Sequence, residues 1–178
     1  MNKSPFNKGD ILIVDDNPAN LRALTTMLTG QNYRVRSANS GQLALEVARK
    51  FLPDLILLDI RMPDLDGYEV CERLKAHEQT RGIPVIFVTV LDETQDKVKA
   101  FAAGGVDYVT KPFRMKEVLA RVETHLILRM MQKQLEEKNA QLEREIAERA
   151  LAEKALRESE KRLRQQERLA AIGQLAGG

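Results

Sequence analysis

Three unbroken apolar runs constrain this 178-residue chain more than any other feature: Ile11-Leu12-Ile13-Val14, Leu55-Ile56-Leu57-Leu58 and Val85-Ile86-Phe87-Val88. A strand with one wet face alternates apolar and polar residues. A run with no polar member suits a strand covered on both faces, as in a parallel sheet. Tyr33-Arg34-Val35-Arg36 does alternate and reads as an edge strand, and Val106-Asp107-Tyr108-Val109 reads as a fifth, short one. Between the strands, helical patterns are expected at about 18–29, 41–51, 66–78, 93–103 and from 114 onward. Gly30, Ser40-Gly41, Pro53, Gly82-Ile83-Pro84 and Gly104-Gly105 punctuate them as turns. Five strand–helix units predict an α/β fold with a doubly wound five-stranded parallel sheet, and the flavodoxin-like order 2-1-3-4-5 is the natural one.

The composition changes abruptly after this pattern ends. The last 51 residues hold 11 of the 28 basic and 9 of the 26 acidic side chains, but none of the six prolines and none of the eight aromatics. They are rich in Glu, Arg, Lys, Gln, Ala and Leu, the composition of a long helix or coiled coil. The expected domains are therefore 1–127 and 128–178. Leu128, Leu135, Leu142, Leu156 and Leu163 share a seven-residue spacing, with Arg149 and Ala170 on the same row. Asn139 and Ile146 fit the partner core position before Arg149, and Ala152 and Ser159 fit the opposite side after it. A register shift near 147–152 is expected, in a coiled coil that makes the chain a homodimer through 128–178. No Gly or Pro lies between Pro112 and Gly173, so the helix starting near 114 should run unbroken into the coil.

Several function classes are excluded at this level. A net charge of +2 is too balanced for a chain that coats nucleic acid or an anionic membrane. Charges along 129–168 alternate in sign instead of forming a basic block, so no nucleic-acid partner is expected. No apolar run approaches the ~20 residues of a membrane helix. The N-terminus has no apolar stretch of the signal-peptide kind. The single cysteine, Cys71, rules out an intramolecular disulfide framework and fits a reducing compartment; the chain is expected to be cytoplasmic.

In a doubly wound sheet, chemistry belongs at the C-terminal ends of the strands. Asp15 and Asp16 follow the first strand, Asp59 ends the third, Thr89 ends the fourth and Lys111 follows the fifth. Each has a plain alternative. Asp15, Asp16 or Asn17 suits a helix N-cap before Pro18, Asp59 suits a turn, and Lys111 suits a solvated loop. The fold brings all of them to one rim, where three carboxylates would repel unless a divalent cation neutralised them. Oxygen-only ligands suit Mg²⁺. Lys111 offers a point charge to a phosphoryl oxygen, and Thr89 a hydroxyl. His77 and His125 read as structural or surface residues, and Cys71 as packed in an amphipathic helix.

The segments LIVDDNPAN, LLDIRMPDLDGYEV, FVT and AGGVDYVTKPF together resemble the receiver domain of two-component response regulators, across about residues 8–127. The resemblance implies that Asp59 is the phosphorylation site, taking a phosphoryl group from the phosphohistidine of a histidine kinase or phosphotransfer protein. It implies Mg²⁺ held directly by Asp16, Asp59 and the Arg61 backbone carbonyl, with Asp15 acting through water. Thr89 and Lys111 would bind the phosphoryl oxygens, Tyr108 would change rotamer on activation, and the Lys111-Pro112 bond would be cis. Val90 stands where the family has a small residue, which would narrow access to Asp59. Arg61 and Leu91 hold positions that tune hydrolysis, and no unusually fast self-dephosphorylation is expected. The tail, ESEKRLRQQERLAAIGQLAGG, resembles the start of the dimerisation helix of sensor histidine kinases. That second likeness implies parallel pairing, and a signalling linker cut before the catalytic part of a longer protein. The parent protein would be a histidine kinase, although this chain contains no ATP-binding module. A diguanylate cyclase output, or a stand-alone dimeric adaptor, is the alternative.

Overall fold

The unbroken runs become the middle of a parallel sheet. The computed structural model describes residues 8–90 and 94–177, with 94–97 described by backbone alone. In chain order the elements are β1 (Asp10–Val14), α1 (Pro18–Thr29), β2 (Arg34–Ala38), α2 (Gly41–Phe51), β3 (Leu55–Asp59), α3 (Gly67–Ala76), β4 (Val85–Thr89), α4 (Thr94–Ala102), β5 (Asp107–Thr110) and α5 (Met115–Ala176). The strands lie in the order β2-β1-β3-β4-β5, every pair parallel, as the sequence predicts.

Successive side chains of a strand point to opposite faces, so each apolar run feeds two cores. Leu12, Val14, Ile56, Leu58, Val85 and Phe87 join Leu45, Ala48, Cys71 and Leu74 of α2 and α3. Ile11, Ile13, Leu55, Leu57, Ile86 and Val88 join Leu24 and Leu28 of α1 and Val118 and Val122 of α5. Fully burying one such side chain contributes about 1.5–3 kcal/mol, which is why β1, β3 and β4 carry no polar alternation. Local chemistry starts the helices: Asn17 caps α1 by accepting from Ala19 N, with Pro18 in the first turn, and Ser40 caps α2 by accepting from Leu43 N.

Most boundaries fall within a residue of expectation, and the two largest departures have visible causes. The edge strand runs Arg34–Ala38 and not 33–36, because its pairing with β1 continues through Ser37 and Ala38, while Tyr33 is buried ahead of it. Helix α3 stops at Ala76 because the following turn captures its end. Thr80 Oγ1 donates to Leu74 O at 2.7 Å, and Lys75 Nζ donates to Ile83 O at 2.6 Å.

The chain divides into two compact units, Met1–Met130 and Met131–Gly178. In the first, the root of α5 is seated by Val118 and Val122, both buried. Farther along it, the Arg129 guanidinium occupies the space that a Cβ at Gly82 would need, 2.6 Å from Arg129 Nη1. In the second, residues 131–176 continue as helix with every side chain exposed, including Leu135, Leu142, Ile146, Leu151, Leu156 and Leu163. No helix of the described residues is long and apolar enough to cross a membrane.

Candidate functional site

The aligned C-terminal ends of β1, β3 and β4 set the frame. Asp15 extends the β1 ladder by one step, its N donating to Ala38 O at 3.2 Å, and is 1% exposed. Asp59 is the last residue of β3 and pairs with Val88; Thr89 ends β4 opposite Thr110, and both Asp59 and Thr89 are buried. Lys111 follows β5 and donates its N to Thr89 O at 2.6 Å, and the Lys111-Pro112 peptide bond is cis, as the resemblance implies. Helix α3 approaches the end of β3 so closely that a Cβ at Gly67 would run into Asp59 O. That position requires glycine for space.

Lys111 Nζ lies 2.7 Å from Asp15 Oδ2 and 2.7 Å from Asp59 Oδ2. Asp59 Oδ1 accepts a long 3.4 Å hydrogen bond from Arg61 N. Asp16 is exposed beside them, and carboxylate oxygens of Asp15, Asp16 and Asp59 lie within 4.8 Å of one another. Burial pushes the Asp59 carboxyl up from the ordinary carboxylate range, the hydrogen bond and charge of Lys111 pull it down, and Asp15 pushes it up; the net direction is up. Burial disfavours the Lys111 ammonium, but the hydrogen bonds and charges of Asp15 and Asp59 outweigh it and hold its pKa above the usual lysine range.

The donor set fits a hard divalent cation. It is carboxylate oxygen throughout, and one ammonium faces three acids, so two negative charges are left over when all are ionised. The open cleft next to it is lined by Asp16, Ile60, Arg61, Met62, Pro63, Asp66 and Tyr68, which puts Arg61 beside the cluster. Asp66 itself is occupied as the α3 N-cap, accepting from Glu69 N at 2.8 Å.

Other expected residues lie farther out. Tyr108 is half-buried, its ring edge-on to Phe101 with centroids 6.3 Å apart and the Arg121 guanidinium 5.7 Å from its own centroid. Val90, the residue after β4, is 54% exposed, and Leu91 lies outside the described residues. His77 caps the end of α3 in solvent, while His125 Nε2 sits 3.1 Å from Asp107 Oδ2. Cys71 is buried, and burial pushes its thiol up to about 11, which leaves it unreactive.

Two residues of the site escaped the sequence reading. Asn20, the third residue of α1, donates its amide to both oxygens of Asp15. Its signal was available: a third-position polar side chain reaches back over the helix start, as in a capping box. Asp64 accepts from Gly41 N at 3.1 Å and Gln42 N at 3.0 Å, which ties the loop after Asp59 to the start of α2 and draws its carboxyl below the usual range. Nothing local announces that contact, because the partners are more than 20 residues apart.

Residues 11–123 match the response regulator receiver domain family. Among curated relatives, the response regulator PleD of Caulobacter vibrioides is 40% identical over 130 residues, covering 73% of this chain and 29% of that protein. A protein named as a probable cyclic di-GMP phosphodiesterase of Vibrio cholerae is 40% identical over 146 residues, covering 82% of this chain and 33% of its own length. The chain thus spans about a third of these relatives. Among solved structures, the receiver domain of the sensor histidine kinase PA1611 of Pseudomonas aeruginosa carries a magnesium ion coordinated in its active-site cleft. It is 34% identical, covers 66% of this chain and 97% of that one, and superposes with a TM-score of 0.63.

Proposed function

This chain belongs to the response regulator receiver domain family, a phosphoacceptor module of two-component systems, and from that premise we propose that Asp59 takes the phosphoryl group from a phosphohistidine. The observation that carries the reading is the pairing of Asp59 with Lys111 at 2.7 Å, at a rim shared with Asp15 and Asp16. A carboxylate oxygen of Asp59 attacks phosphorus in line, the phosphorus–nitrogen bond breaks, and the electron pair leaves with the donor imidazole. Asp59 needs no general base, because its ionised form is the nucleophile. Lys111 is already directed at Asp59 and, remaining charged, pairs with a phosphoryl oxygen, and the Thr89 hydroxyl serves a second. Asp16, Asp59 and the Arg61 carbonyl would hold Mg²⁺, which when bound neutralises charge on the phosphoryl oxygens. The solved relative with magnesium in its cleft supports that assignment.

Tyr108 is the switch in this proposal, moving inward as Thr89 is drawn toward the phosphoryl group. Residues 128–178 are the signalling linker: a parallel coiled-coil homodimer that carries the change to a histidine kinase module. Its support is the exposed seven-residue leucine row and the likeness of the tail to kinase dimerisation helices. Incubation with a small acyl phosphate and Mg²⁺ should add one phosphoryl mass to the full chain, and Asp59→Asn should abolish it. An Asp59→Asn chain that gains the mass at the wild-type rate sinks the assignment. A spin label near residue 170 should report a short distance to its twin; a separation comparable to the coil length refutes parallel pairing.

A further inference from the structure

Asp15 is held more completely than a phosphotransfer site requires. Its side chain is 1% exposed, and three donors converge on its carboxylate. Oδ1 takes Asn17 N at 2.9 Å and Asn20 Nδ2 at 3.1 Å, and Oδ2 takes Asn20 Nδ2 at 3.0 Å and Lys111 Nζ at 2.7 Å. A carboxylate offers about four lone-pair sites, and three donors engage most of those on Asp15. One of the three is Asn20, whose amide nitrogen straddles both oxygens from the first turn of α1. A cation entering the cluster meets Asp16 exposed and Asp59 with a weakly engaged Oδ1, whereas Asp15 is already shared among three donors.

We propose that Asn20 is a specificity-determining positioning residue for the cation site: by occupying Asp15, it limits the carboxylates that ligate the ion directly to Asp16 and Asp59, and so selects Mg²⁺ over Ca²⁺. The inference rests on the Mg²⁺ reading above. Mg²⁺ demands a near-ideal octahedron and keeps several of its waters, so it is served by one or two carboxylates. Ca²⁺ takes six to eight oxygens in flexible geometry and gains from a third. Removing the Asn20 amide frees lone-pair capacity on Asp15 for the ion, which benefits Ca²⁺ and offers Mg²⁺ a ligand its octahedron does not need.

The test titrates the full chain, wild type, Asn20→Ala and Asn20→Ser, with MgCl2 alone and with CaCl2 alone. Binding is followed by amide chemical shifts in the absence of any phosphodonor. The ratio of Ca²⁺ to Mg²⁺ affinity should rise about tenfold in Asn20→Ala, and less in Asn20→Ser, which keeps one hydroxyl donor. Thermal unfolding verifies that each variant is folded, and the serine variant carries the same comparison if the alanine variant is not. An unmoved ratio with both affinities falling together means that Asn20 only supports the fold, and overturns the inference. Absence of saturable Mg²⁺ binding in the wild type overturns the Mg²⁺ reading and this inference with it. Saturable wild-type binding with an unmoved ratio overturns the inference alone.

Discussion

Lys111→Met removes the cation that two buried carboxylates share while keeping the length of the side chain. The Lys111 side chain is 14% exposed, against 1% for Asp15 and 8% for Asp59, so little water replaces it. Taking away one partner of a buried charge pair costs about 3–5 kcal/mol, because the remaining charge is left uncompensated. This rim opens to a cleft on one side, so the lower end applies: about 3 kcal/mol, or roughly 10 °C in Tm for a domain of this size. The pH dependence has a definite sign. Burial already raises the Asp59 carboxyl, with Lys111 opposing; without Lys111, only the long Arg61 amide hydrogen bond opposes burial and Asp15, and the carboxyl rises further. A carboxyl whose folded pKa lies above its unfolded value contributes stability at low pH and loses it as pH rises through the folded value. The deficit of Lys111→Met should therefore be largest at pH 7.5 and narrow toward pH 5. Saturating Mg²⁺ should also narrow it, because the ion binds the folded variant more tightly once Lys111 no longer competes for Asp15 and Asp59. Urea unfolding of both chains at pH 5 and 7.5, in EDTA and in MgCl2, measures all four corners. A variant as stable as wild type in EDTA at pH 7.5 refutes the charge argument, as does a deficit that ignores both pH and metal.

Asp107→Asn should cost about 1–2 kcal/mol, since the carboxylate accepts from Arg121 Nη1 at 2.5 Å and Tyr108 N at 2.8 Å and contacts His125 Nε2 at 3.1 Å. Burial raises the Asp107 carboxyl but Arg121, the Tyr108 amide and His125 outweigh it and lower it, so the contribution is present above about pH 4 and is lost as pH falls through the lowered value. The gap to wild type in urea titrations should shrink between pH 5 and pH 3. Leu57→Ala, at a fully buried position in the central strand, should lose about 2–5 kcal/mol by the same measurement at pH 7. Cys71 should resist iodoacetamide in the native chain at pH 8 and react in urea, because its thiol is buried and pushed up to about 11; native labelling at the unfolded rate contradicts its packing. Leu142→Glu with Leu156→Glu, both exposed on the second unit, should turn a dimer into a monomer in sedimentation equilibrium while leaving acyl-phosphate labelling unchanged.

The sequence by itself determined the layering of this protein. A strand buried on both faces has no polar position to offer, so the runs at 11–14, 55–58 and 85–88 announced β1, β3 and β4 before any fold was known. The starts of α1 and α2 were equally legible, because Asn17-Pro18 and Ser40-Gly41 act within a single turn. Asp15, Asp16, Asp59, Thr89 and Lys111 could be gathered at one rim from strand order alone, since in a parallel sheet every strand ends on the same side. What remained illegible is long-range geometry. Whether β2 stops at Arg36 or Ala38 depends on pairing with β1, and where α3 ends depends on Thr80 and Lys75 reaching across its turn. Lys111 bridges carboxylates 96 and 52 residues away, and Asp64 caps a helix on another element. Asn20 lies five residues from Asp15, yet its hold on both oxygens exists only once β1 and the first turn of α1 are set at their final angle. Periodicity and capping are properties of neighbouring residues, so the chain alone specifies them. The direction of a donor toward an acceptor is a property of packed elements, and only the tertiary structure decides it.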